Sequence, residues 1–107
     1  MEGLRESLET MINNIDVYCD LLITGKQDIA FSYRDSMSEN FTALIGAVLK
    51  VYDMAGFEAV REDKLYWTDQ YQRIKDALSS EDVFFTIDVL KNETAQNFKL
   101  FMGMIAG

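Results

Sequence analysis

Val83, Ile87, Leu90, Thr94, Phe98, Phe101 and Ile105 are spaced 4, 3, 4, 4, 3 and 4. Residues at that spacing share one face of an α-helix, and the pattern persists for about six turns. Local composition argues otherwise. Val83-Phe84-Phe85-Thr86-Ile87-Asp88-Val89 is rich in the β-branched and aromatic residues that favour strands. A half-buried strand alternates apolar and polar residues, and this segment does not. Pattern length outweighs local propensity, so the segment reads as a helix over about 80–105. Its start is marked by Ser79 and Asp82 at capping-box spacing, with Glu81 and Asp82 where the helix dipole favours acids.

Three more stripes follow the same rule. Leu4, Leu8, Met11, Ile15, Tyr18 and Leu22 predict a helix over about 3–23, with Gly25 as its C-terminal cap. Ala30, Tyr33, Met37, Phe41, Leu44, Val48, Val51 and Ala55 predict a second over 27–55, closed by Gly56. Val60, Trp67, Tyr71, Ile74 and Leu78 predict a third over 60–78, with Lys64 in the apolar register. The chain contains no proline, which suits long helices. The junctions TGKQ, AGFE and SS are short, and short connections join antiparallel neighbours. The expected fold is therefore all-α: an antiparallel up-down-up-down four-helix bundle, with residues 1–107 as a single domain. The second helix would be ~42 Å long and the third ~27 Å at 1.5 Å per residue. The second must overhang its partners or break. Ser36 and Glu39 repeat the capping-box spacing and mark a place for the break.

Charge and residue absences narrow the function. Eighteen acids against ten bases give a net charge of −8, which argues against nucleic acid or an anionic membrane as partner. The single cysteine, Cys19, permits no intrachain disulfide and fits a reducing, cytoplasmic setting. MEGLRESLET lacks the cationic start and apolar run of a secretory signal. No apolar run approaches the ~20 residues of a membrane span. The chain has no histidine, which removes the commonest general acid/base and the commonest metal ligand. The Glu-x-x-His pairs of a di-iron bundle cannot be built, and no glycine-rich phosphate loop or G-x-S-x-G is present. Asp16 with Asp20, and Glu58 with Glu62 and Asp63, read as solvated helix faces. Cys19 lies beside Asp16 and Asp20, which hold a thiol protonated. No enzyme activity, cofactor or metal is expected.

Some apolar residues exceed what one core needs. Phe85, Val89, Leu100 and Met104 form a second stripe on the back of the last helix, interrupted by Glu93 and Gln96. Phe31, Ile45, Leu49 and Tyr52 widen the face of the second helix, and Ala43, Gly46 and Ala47 add a small-residue surface to it. Either the last helix is central, with neighbours on both sides, or these residues face a partner. The candidate interaction residues are Phe85, Val89, Leu100, Met104, Phe31 and Leu49.

Two resemblances bear on function. Asp35-Ser36-Met37 resembles the Asp-Ser-Leu/Met attachment site of acyl and peptidyl carrier proteins, which are also small, acidic and four-helical. That likeness implies phosphopantetheine on Ser36. The acidic four-helix layout resembles small bacterial export chaperones, particularly those of flagellar secretion. SSEDVFFTIDVLKNE is similar to the last helix of related bacterial bundle proteins, through Asp82, Asp88-x-Leu90 and Glu93. The second likeness implies that an apolar groove holds an amphipathic segment of a client, without catalysis. The expected function is a non-enzymatic protein–protein interaction module, chaperone- or adaptor-like. It would use the second and fourth helices for self-association, with a homodimer as the form, or to bind an amphipathic helix. The alternatives are a carrier modified on Ser36 and an acidic inhibitor or immunity-type protein that blocks a basic site by its charge.

Overall fold

The sustained 4-3 spacing does build helices. A computed structural model describes residues 2–55 and 60–105, and among them there is no strand. Helix α1 is Glu2–Ile23, α2 is Gln27–Ser32, α3 is Arg34–Ala55 and α4 is Val60–Ser79. The last helix, α5, runs over 83–105. It consists of an α-helical turn Val83–Ile87, a π-helical segment Asp88–Thr94 and an α-helical stretch Ala95–Ile105. The expected stop at Gly56 and the acid at Glu58 lie outside the described residues, as do the side chains of Ala55 and Val60.

Gly25 ends α1 as its position predicts. Its φ is 78°, a conformation that glycine adopts without a Cβ penalty. The Gly25 N–H donates to the Leu22 carbonyl at 3.3 Å and the Lys26 N–H to the Leu21 carbonyl at 2.8 Å. This pair of bonds is the Schellman closure.

The predicted helix over 27–55 is in fact two helices, and the break falls at Tyr33 rather than Ser36. The Tyr33 N–H turns to the Ala30 carbonyl three residues back, at 3.0 Å, and the Met37 N–H bonds to the Tyr33 carbonyl at 2.9 Å to begin α3. Long-range contacts hold the break. Arg34 donates through Nη2 to the Ser80 carbonyl at 2.6 Å, and its guanidinium lies 3.5 Å from the centroid of the Phe31 ring. Tyr33 therefore leaves the apolar register and is 51% exposed. The break also removes the length mismatch, since α3 has 22 residues and α4 has 20.

The cap of the last helix also shifts. Helix α4 continues through Ser79, whose Oγ donates back to the Lys75 carbonyl at 2.9 Å. Asp82 alone caps α5, accepting from the N–H groups of Phe84 and Phe85 at 3.1 and 3.2 Å. The helix starts at Val83 rather than near residue 80.

Four long helices pack in a closed order, α1 against α3 and α5, and α4 against α3 and α5. Arg34 meets Ser80, so the start of α3 lies at the end of α4. Asp53 pairs with Lys64 where α3 ends and α4 begins, which accounts for the lysine in an apolar register. Thr86 donates to the Ala77 carbonyl at 3.0 Å, Arg73 makes a two-pronged pair with Glu93, and Tyr66 donates to Asn97. The beginning of α5 thus lies at the end of α4. The molecule measures 45 × 24 × 20 Å. Leu8, Ile15, Phe41, Val48, Ile74, Leu90 and Phe98, all stripe positions, are fully buried. Aromatic rings fill the middle: Phe98 stacks on Phe41 and on Trp67, and Phe101 packs against Trp67 and Tyr52. Trp67 donates its indole N–H to the Tyr52 hydroxyl at 3.2 Å, so the buried polar tip is paired. No helix among the described residues is long and apolar enough to cross a membrane.

Candidate functional site

The six residues picked out as interaction candidates differ in burial and lie at two ends of the molecule. Val89 is 0% exposed and belongs to the core. The cause is the π-helical segment, which places more residues in each turn than an α-helix. Spacing by 100° per residue fails across it, and Val89 and Leu90 both end up buried. Phe85, Phe31 and Leu49 are half-buried and pack against the core. Leu100 and Met104 are exposed, at 71% and 54%. They sit near the C-terminal end of α5, while Phe31 and Phe85 lie at the end where α4 finishes and α5 begins.

A chain of side-chain hydrogen bonds closes the π-helical segment. Thr94 donates from Oγ1 to the Val89 carbonyl five residues back, at 2.8 Å. Gln70 of α4 donates from Nε2 to Thr94 Oγ1, and Asn97 donates from Nδ2 to Gln70 Oε1, both at 2.9 Å. Tyr66 donates to Asn97 Oδ1 at 2.9 Å. Each group donates to the next, so Gln70 and Thr94 are buried with their polar atoms paired. The network holds α4 against α5, and none of its members is charged.

A groove of about 610 Å³ lies instead between α1 and α3. Gly3, Ser7, Thr10 and Asn14 line it from α1 at spacings of 4, 3 and 4. Asn40, Ala43 and Ala47 line it from α3 at spacings of 3 and 4. Leu4, Met11 and Leu44 add apolar lining, and Glu6 contributes a charge. Small side chains leave the space between two helix cylinders unfilled, and a Cβ added at Gly3 would meet nothing within 4 Å. A second cavity of about 280 Å³ shares Asn14 and Asn40 with the first. The two cavities follow one another along α1 from Gly3 to Tyr18, a trough ~22 Å long at 1.5 Å per residue. Ala43 and Ala47 stood out in the sequence as a small-residue surface. The α1 wall did not, although it carries the same helical spacing, because its members are polar or lack a side chain.

Ser36 is exposed, is the third residue of α3, and lines the smaller cavity. Helix α2 precedes it with only Tyr33 between α2 and α3, where carrier proteins have a long loop. Cys19 is fully buried, and its thiol is raised from 9.0 to about 11. Burial is the main cause; Lys91 opposes it, and Asp16 and Asp20 add to it. The native thiol is expected to resist iodoacetamide at about pH 8 and to react only on unfolding, because the thiolate is the nucleophile. Its contribution to stability is complete below pH 9 and is lost as pH rises through about 11, since the unfolded thiol ionises first. Rapid alkylation of the folded chain, measured by mass, would contradict this. Among the described residues no three cysteine or carboxylate side chains converge where they could hold a metal ion.

The chain matches no family model, no curated protein and no solved structure.

Proposed function

We propose that the four long helices form an antiparallel up-down bundle, and that the chain is a non-enzymatic interaction module, adaptor- or chaperone-like. Its trough between α1 and α3 takes one face of a partner's amphipathic helix. The observation that carries this reading is the pair of small-residue walls at helical spacing on either side of an apolar lining. Helix-in-groove recognition uses such a surface: anchors at 3- and 4-residue intervals seat against the floor, and small walls admit the backbone closely. The net charge of −8 favours a basic partner and opposes a second copy of the same chain. Helix α3 keeps the role expected of the second helix, and α1 takes the place expected of the last one. Leu100 and Met104 stand outside the trough.

The test is a titration of isotope-labelled protein with a synthetic helix that carries alanine and leucine on one face and lysine on the other. Amide shifts are expected at Gly3, Ser7, Thr10, Ala43 and Ala47. Ala43→Trp fills the groove from an exposed position, so it should weaken binding by more than about tenfold while leaving helix content unchanged. Shifts centred on Leu100 and Met104, or binding indifferent to Ala43→Trp, would remove the reading.

A further inference from the structure

Glu6 lines the groove from α1, at helical spacings of 3 and 4 from Gly3 and Thr10. Among the described residues it is the only charged one that lines either cavity of the trough. It is exposed, and no ion pair among those residues includes it. Its chain neighbour Arg5 pairs instead with Glu9, at 3.5 Å. There is open space beside it. Gly3, one turn before, has no side chain, and a Cβ there would meet nothing within 4 Å. Ala43 and Ala47 keep the opposite wall low, and Leu4 and Leu44 give the same groove an apolar lining.

We propose that Glu6 is the residue through which the groove selects its helix, by pairing with a lysine or arginine at the edge of the partner's apolar face. The inference rests on the groove reading above and names the side chain that the groove selects. A basic side chain fits on three counts. Its methylene stem lies along the apolar lining while its charged head stays in water beside Glu6. The pair forms at the rim, where opposite charges fix register and orientation. An acid at the same place would meet a like charge, with no lining cation to offset it. The other acids act differently. Asp35 and Glu39 flank Ser36 and Asn40 in α3, but neither lines a cavity of the trough. They attract any base through solvent without placing it.

The experiment is a charge swap. Two synthetic amphipathic helices differ at one position on the edge of the apolar face, lysine in one and glutamate in the other. Calorimetry gives the preference of the intact protein for the lysine helix. Glu6→Lys should lower that preference by about tenfold, since it removes an attraction and creates a repulsion. Glu81→Lys makes the same change in net charge from an exposed place between α4 and α5, outside both cavities. It should lower the preference by about twofold or less. Glu6→Gln, which keeps the shape of the side chain, should lower it by about threefold and serves if Glu6→Lys disturbs the start of α1. Equal effects of Glu6→Lys and Glu81→Lys, with binding still lost in Ala43→Trp, overturn the role of Glu6 and leave the groove standing. Amide shifts at Gly3, Ser7 and Thr10 that follow dilution of the free protein would put a second copy in the groove, and overturn it as well. Absence of saturable binding by either helix removes both readings.

Discussion

Phe98→Ala should lower the stability of the chain by about 4 kcal/mol. Phe98 is fully buried, with its ring centroid 6.2 Å from Phe41 and 5.8 Å from Trp67. The three rings come from α3, α5 and α4, so the side chain fastens three helices at once. Truncation removes the transfer energy of a phenyl ring and leaves a cavity between two rings that cannot collapse without moving helices. A domain of ordinary stability has about 5–15 kcal/mol in total, so the loss is a large fraction of it. Urea unfolding followed by the fluorescence of Trp67, the only tryptophan, measures the effect. A midpoint unchanged from wild type would mean that the ring is not clasped as described.

Thr94→Val should cost about 2 kcal/mol although it preserves volume and removes one hydroxyl. That hydroxyl accepts from Gln70 and donates to the Val89 carbonyl, so its loss leaves the buried Gln70 amide without its acceptor and takes one bond from the Val89 carbonyl. The size of the effect comes from the orphaned partners rather than from the bond itself. Adding Gln70→Leu should therefore cost less than the sum of the two single changes, because one orphan disappears with its side chain. Asn97 loses its bond to Gln70 in the double variant but lies at a half-exposed site, where water can replace it. Hydrogen exchange of the amides in 88–97 should quicken in Thr94→Val, since the π-helical segment loses its cross-brace. Strict additivity in the double variant would show that the network is not coupled.

The helices and most of their buried faces were legible in the residue order. Leu8, Ile15, Phe41, Val48, Ile74 and Phe98 announce themselves by spacing, and all are buried. The strand-like composition of Val83 to Val89 was correctly overruled by a longer pattern. Gly25 was readable because its role is local: a positive φ at a helix end favours glycine whatever surrounds it. The break at Tyr33 was not readable at the right residue. It depends on Arg34 reaching Ser80 across 46 positions and stacking on Phe31. Val89 was misplaced because a π-helical segment changes the angle per residue, and Gln70 and Thr94 pair only once α4 and α5 are side by side.

Helical period, end caps and net charge are local or additive properties, so the sequence by itself determined an all-helical, strongly acidic chain with four long apolar stripes. The trough is of another kind. Gly3, Ser7, Thr10 and Ala43 would be equally small if these faces of α1 and α3 met directly, and the same residues would then mark a tight seam. Only the tertiary structure decided that a groove stands between them, with α1 also packed on α2 and α5. The physical reason is that an empty volume belongs to the distance between two elements, and no single residue carries it.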